Sequence, residues 1–346
     1  MGQLAIDYHG SGVFRPREYD PDPPAAGEVQ IAVAYTGICG TDLTISHGGM
    51  DGRVKEPWPI GHEMSGTIAE IGPGVDGWSV GDKVTVMPLD WCGACPACMA
   101  GNTHICHRLN FVGIDSPGSL QDRWNVRAEW LVRLTDGLGL RDGALVEPVA
   151  VAVHDVRRAE VGDGDRVVVI GAGPIGLLIG TVARSRGAEV LLSEIAPSRL
   201  ALAAELGFPA VDAAAESLGD AVDRWTDGAG ADVAFEVSGS KPGVRAVTDV
   251  LRRRGTGVIV GIQPEPPPVD LFQVFWKELG IIGARVYQRP DFEEAVRLVA
   301  DGAIPVDDMV SDVMPLADTA RAIERLDRGE DLVKLLIASG SSRSER

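Results

Sequence analysis

The run Val167-Val168-Val169-Ile170-Gly171-Ala172-Gly173-Pro174-Ile175-Gly176 sets the architecture of this 346-residue chain. Four branched apolar residues in succession suit a strand buried on both faces. The glycines that follow spell G-x-G-x-x-G at the opening of a helix-forming run that reaches Arg186. In such a turn the first glycine (Gly171) permits the tight reversal, the second (Gly173) lets the backbone approach a pyrophosphate, and the third (Gly176) allows close helix–strand packing. Pro174 and Ile175 begin the helix, whose free N–H groups suit phosphate oxygens. Glu194 closes the next strand-like run, EVLLSE, where a carboxylate accepts hydrogen bonds from the adenosine ribose and opposes a 2′-phosphate. NAD is therefore favoured over NADP, with Arg199 the residue placed to act in the opposite sense. Residues 232–239 and 255–262 read as further strands, and Val237 and Ile262 near their ends are weaker candidates for cofactor contact.

Outward from this turn, strand-like and helix-like runs alternate to about residue 290, the pattern of a parallel sheet wound on both faces. VRAVTDVLRRRG is expected to be one of the helices. Upstream, VQIAVAYTG, GTIAEIG, DKVTVMP and WLVRL are short β-like runs punctuated by glycine and predict a compact, mostly β domain. LVEPVAVAVHDVRRAEV reads as a connecting helix. Two helical runs and LVKLLIA follow residue 290 and suit either domain, and the polar tail SGSSRSER is expected to carry no regular structure. The expectation is an α/β chain with three segments: 1–150, 151–290 and 291–346.

Lys plus Arg number 32 and Asp plus Glu 50, a net charge of −18 that argues against a nucleic-acid partner, which needs a cationic face. An apolar fraction of 45% supports a full core. The charge-free run from Val167 to Ala183 falls short of the ~20 residues of a membrane span and is broken by Gly and Pro. Asp7 interrupts the first residues and no apolar leader follows it, so the expected compartment is the cytoplasm.

Four of the five cysteines, Cys92, Cys95, Cys98 and Cys106, are spaced C-x2-C-x2-C-x7-C. Four thiolates on one short lobe, about residues 88–108, suit tetrahedral zinc in a closed structural site. An iron–sulfur motif of the bacterial type brings its fourth cysteine after three residues and follows it with proline, whereas His107 follows here. Cys39, in GICGTD, and the pair His62-Glu63, in GHE, are ambiguous singly. Beside a dinucleotide domain they suit a catalytic zinc, which takes three protein ligands and keeps one position open. Glu147 has two readings, a third ligand or an acid favoured by a helix N-terminus.

These motifs, in this order along essentially the whole chain, resemble the zinc-dependent medium-chain dehydrogenase/reductase superfamily, and within it the sorbitol, butanediol and threonine dehydrogenase branch. The resemblance implies a GroES-like catalytic domain, completed by residues 291–346, with a Rossmann domain inserted. It places the catalytic zinc on Cys39, His62 and Glu147, with Glu63 as an acid that coordinates or exchanges with water. It places the structural zinc on the four-cysteine lobe, making two zinc ions per chain. Thr41 matches the hydroxyl that passes the substrate proton. One position departs from the pattern: where many relatives carry a proton-relaying histidine, this chain has Thr44, with His47 nearby. The implied protein is a homo-oligomer, tetramer or dimer, that interconverts a secondary alcohol (polyol, cyclitol, sugar or vicinal diol) and its ketone by hydride transfer. The rival readings are threonine-type amino-alcohol oxidation, a zinc-free enone or quinone reductase, and a non-enzymatic zinc-binding module.

Overall fold

The computed structural model describes residues 2–54 and 57–340, so most of the polar tail lies outside the described residues. The chain divides into two compact units, one of residues 148–287 with 303–305, the other of 1–147, 288–302 and 306–346.

The first unit is built on six parallel strands in the order Ala210–Asp212, Glu189–Glu194, Arg166–Ile170, Ala231–Glu236, Leu251–Ile259 and Gly280–Gly283. Strand Arg166–Ile170 starts the series and lies in the middle, so the winding reverses beside it and leaves a crevice at the strands' carboxyl ends, where such sheets bind ligands. Its Val168 and Ile170 pack with Leu191, Val222, Ala234 and Val247 in one buried cluster. Helices Pro174–Ser185, Pro197–Glu205, Leu218–Thr226, Lys241–Val250 and Leu271–Lys277 complete the unit.

One expected helix is corrected. In VRAVTDVLRRRG the helix stops at Val250, and Leu251 begins a strand that pairs with Ala231. The register shifts between Ala231 and Val233, and Arg254 takes φ +60°, the signature of an irregularity that absorbs the extra arginines. Lys277 Nζ donates to the carbonyls of Thr248, Asp249 and Leu251 at 2.9–3.0 Å, occupying acceptors that a longer helix would have used itself. Tertiary pairing outweighs the modest propensities of the arginine run. The strands end at Glu236 and Ile259, so Val237 and Ile262 lie in the loops beyond them.

In the second unit the main sheet runs Leu131–Arg133, Lys83–Val86, Glu63–Ile71, Glu28–Gly37, Lys334–Ala338, Val310–Pro315, with Arg123–Arg127 also paired to Glu28–Gly37. Val29, Ile31 and Val33 form its core with Met64, Ile68, Val84 and Trp124. Strand Lys334–Ala338, from the far end of the chain, lies antiparallel to Glu28–Gly37 with Leu336 opposite Gly37, and Gly37 is in turn opposite Glu63. That three-strand register brings residues from three distant stretches of sequence side by side. Among the described residues, no helix is long and apolar enough to cross a membrane.

Candidate active site and metal centres

The four-cysteine lobe is held between the short strands Leu89–Asp90 and Asn110–Phe111. Its sulfurs stand 3.5 Å (Cys95–Cys98), 3.9 Å (Cys95–Cys106) and 3.5 Å (Cys92–Cys106) apart. Tetrahedral zinc with bonds of about 2.3 Å to sulfur requires S···S edges of about 3.8 Å, whereas a disulfide requires about 2.0 Å, so the spacing fits the metal. Backbone N–H groups of Cys92 and Arg108 point at Cys106 Sγ, and that of His107 at Cys95 Sγ, at 3.3–3.5 Å. Such donors favour thiolates. The Cys92 thiol is lowered to about 5 by the backbone at Ala94 and by the Arg108 guanidinium, whereas burial raises Cys98 to about 12. Trp91 packs against this lobe.

The second cluster joins Cys39, His62 and Glu63, whose ligand atoms all lie within 4.8 Å of one another. Cys39 stands at the N-cap of the helix Gly40–Ser46, its backbone N–H donating to Asp42 Oδ2 at 2.8 Å. His62 and Glu63 sit where the strand Glu63–Ile71 begins, both buried. Phe111 meets the His62 ring edge-on, with centroids 5.3 Å apart. His62 Nδ1 and Asp42 Oδ1 are buried and without hydrogen-bond partners among the described residues. Burial works against a charged His62, but the Cys39 hydrogen bond and the charges of Cys39, Asp42 and Glu147 raise it to about 10. A half-buried thiol beside a buried imidazole and buried carboxylates, with orphaned polar atoms on His62 and Asp42, is the donor chemistry that a divalent cation satisfies.

Glu147 falls outside the 4.8 Å set, yet it is buried in the first turn of helix Val146–Arg158 and its charge acts on both His62 and Lys334. Lys334 is a member that sequence reading missed. It is buried, and its Nζ donates to both oxygens of Glu63, at 2.8 and 2.7 Å. The one available signal was a lysine inside the otherwise apolar run LVKLLIA. Asp42 was also missed, although it lies inside the GICGTD motif. Thr41 is half-buried in the first turn after Cys39, and its hydroxyl has no hydrogen bond among the described residues. Thr44 is exposed and donates to the Gly40 carbonyl at 3.2 Å. His47 is exposed, with Nε2 2.7 Å from Asp327 Oδ1.

In the other unit, Gly171 has φ +103°, a conformation that disfavours any side chain. A Cβ on Gly176 would lie 1.9 Å from the Gly171 carbonyl oxygen, so only glycine allows the helix this close to the strand. Gly173 caps the helix Pro174–Ser185 with no side chain in attendance, leaving its first N–H groups for a ligand. Glu194 is buried, with Oε2 accepting from Ala172 N at 2.9 Å and Oε1 from Ile195 N and Ala196 N at 2.7 and 3.1 Å. These bonds orient the carboxylate and occupy three of its four lone-pair directions, leaving one on Oε2. Val237 is half-buried and donates its N–H to the Ile170 carbonyl, while Ile262 is 80% exposed. This cradle of glycine backbone, free helix N–H groups and a held carboxylate suits a dinucleotide.

Residues 25–136 match the family model described as alcohol dehydrogenase GroES-like domain, and residues 174–301 the one described as zinc-binding dehydrogenase. The chain is 50% identical to 2-dehydro-3-deoxy-L-galactonate 5-dehydrogenase of Pseudoalteromonas atlantica, over 96% of this chain and 98% of that one. It is 33% identical to sorbitol dehydrogenase of Halalkalibacterium halodurans, over 97% and 99%. A solved zinc-binding dehydrogenase from Sinorhizobium meliloti 1021, bound to NADP, superposes with a TM-score of 0.91 at 29% identity, over 98% of this chain and 99% of that one.

Proposed function

The chain belongs to the zinc-dependent medium-chain dehydrogenase/reductase (alcohol dehydrogenase) superfamily, and from that premise we propose which alcohol it handles and which residues do so. It is an alcohol dehydrogenase using zinc and a nicotinamide cofactor to interconvert an alcohol and its ketone. Our reading of the substrate is a polyhydroxylated secondary alcohol, a sugar acid before a simple polyol. The observation that carries it is the 50% identity, over nearly the full length of both chains, to a dehydrogenase whose name denotes a deoxy sugar acid.

We assign two zinc sites per chain, the four-cysteine lobe as structural and Cys39, His62 and Glu147 as ligands of the catalytic metal, with Glu63 beside them. Bound there, zinc supplies Lewis acidity that lowers the pKa of the substrate hydroxyl. Thr41 accepts the proton of that hydroxyl and passes it on; with Thr44 directed to Gly40, the route beyond Thr41 is short. Glu194 holds the adenosine ribose diol, which favours NAD. The fourfold thiolate lobe contributes by folding rather than chemistry.

We further assign the protein to the cytoplasm and to a homo-oligomer. The edge strand Gly280–Gly283 and the neighbouring helix Leu271–Lys277, with Leu271, Phe272, Phe275 and Trp276 all exposed, support a self-complementary surface for a second copy.

The test is a panel of sugar acids, polyols, vicinal diols and threonine with NAD+, before and after chelator treatment. A sugar acid should give the highest kcat/KM, and the chelator should abolish turnover. Preference for threonine, or activity that survives complete loss of metal, would overturn the reading.

A further inference from the structure

We propose that Glu236 is a positioning residue for the nicotinamide end of the cofactor, its buried carboxylate tying together the two loops on which that end rests. The proposal rests on the reading of the glycine turn as a dinucleotide cradle. Glu194 closes strand Glu189–Glu194, the turn follows the adjacent strand Arg166–Ile170, and Ala231–Glu236 and Leu251–Ile259 come next in the sheet. A dinucleotide with its adenosine ribose at Glu194 and its pyrophosphate on the turn continues in the same direction. Its nicotinamide end therefore reaches the loops that follow Glu236 and Ile259. The second of these is long: residues 260–270 carry neither helix nor strand.

Glu236 holds both loops where the strand ladder stops. Its main-chain carbonyl accepts from the N–H groups of Val260 and Gly261, each at 2.9 Å. Its side chain is fully buried, with Oε1 accepting from the Ser238 hydroxyl and Oε2 from Gly239 N at 3.3 Å and Gln263 Nε2 at 2.9 Å. Two of those donors belong to the first loop and one to the second, so the carboxylate is the bridge between them. The packing leaves it no other place. A Cβ on Gly243 would lie 2.6 Å from Oε1, and one on Gly261 2.7 Å from Oε2. A Cβ on Gly171 would lie 3.0 Å from Ser238 N, so the first loop also abuts the opening glycine of the turn. Glu194 keeps a lone pair open to a ligand, whereas Glu236 is turned wholly inward and acts through the backbone it holds. Removing the carboxylate strands three donors and unties the loops, while Glu194 and the glycine turn keep their own bonds.

The two halves of the cofactor make the proposal testable. Binding of NADH, and of ADP, which carries the adenosine and pyrophosphate without the nicotinamide end, is measured by calorimetry in the parent, Glu236→Ala, Gln263→Ala and Glu236→Gln. Each alanine variant should weaken NADH binding on the order of 10-fold and leave that of ADP unchanged. Glu236→Gln should recover most of the NADH affinity, because its amide oxygen can accept from Gly239 and Gln263 while the Ser238 hydroxyl reverses to accept from its nitrogen. Equal losses for NADH and ADP would show a merely structural residue, and unchanged NADH affinity in either alanine variant would show loops held without the bridge; each result overturns the proposal. Should Glu236→Ala not fold, Gln263→Ala decides, since it cuts the bridge without emptying the interior. A parent that binds neither NADH nor ADP defeats the dinucleotide reading itself, whereas a parent that binds both beside an unresponsive Gln263→Ala defeats the Glu236 proposal alone.

Discussion

Arg199 Nη1 stands 3.7 Å from Glu194 Oε2, and the same guanidinium nitrogen lies 3.8 Å from where a Cβ on Gly173 would be. The arginine thus reaches back from its helix to the glycine turn, beside the carboxylate of Glu194. It is half-exposed while Glu194 is buried, so the carboxylate is the better held of the two. For NAD the pair can stay together; a 2′-phosphate would have to displace Glu194 from the guanidinium. Glu194→Ala should therefore shift the ratio of kcat/KM for NAD+ over NADP+ toward NADP+, and Arg199→Ala should shift it the other way. Steady-state kinetics with one alcohol and both cofactors measures this, and an unmoved ratio in Glu194→Ala would remove that residue from the choice.

The cysteine lobe makes a prediction about folding. Its four thiols lie within one short stretch, residues 92–106, pinned at its base by the pairing of Leu89–Asp90 with Asn110–Phe111, so metal binding is expected to accompany formation of the lobe. Cys95→Ser should lower the thermal midpoint and the zinc content together, leaving about one ion per chain. A Cys95→Ser protein that melts like the parent and retains two ions would show the lobe to be an ordinary loop.

Thr41 should matter to chemistry rather than to affinity. Its hydroxyl follows Cys39 on the same helical turn and has no hydrogen-bond partner to lose among the described residues. Thr41→Ala should lower kcat for alcohol oxidation by about 10²–10⁴-fold with little change in cofactor Kd. Thr41→Ser should recover most of the loss. Equal kcat in parent and Thr41→Ala would mean that the proton leaves by another path.

The exposed face of Leu271–Lys277 predicts an assembly. Phe275 is 75% exposed and Trp276 61%, beside a strand whose outer edge pairs with nothing among the described residues. Trp276→Glu should reduce the mass seen by light scattering, since a charge there must be desolvated on association. A parent that is monomeric at micromolar concentration sinks this at once.

Features confined to a short run of chain were legible without coordinates. The glycine turn was readable because strand, turn and helix are contiguous and each glycine answers a local steric demand, such as φ +103° at Gly171. The cysteine spacing was readable because a loop of that length can only fold its thiols toward one point. Local propensity misled at Leu251–Ile259, where pairing with Ala231–Glu236 turned an arginine-rich run into strand. The surroundings of the Cys39 cluster were beyond any local reading. Lys334 and Glu63 are separated by 271 residues, and only the register of three strands, with Gly37 between them, sets one beside the other. Sequence alone determines which side chains have the chemistry of a metal site. Which charged partner each of those side chains meets, as Glu63 meets Lys334, is decided by tertiary packing, because charges act through a few ångströms of space whatever their distance along the chain.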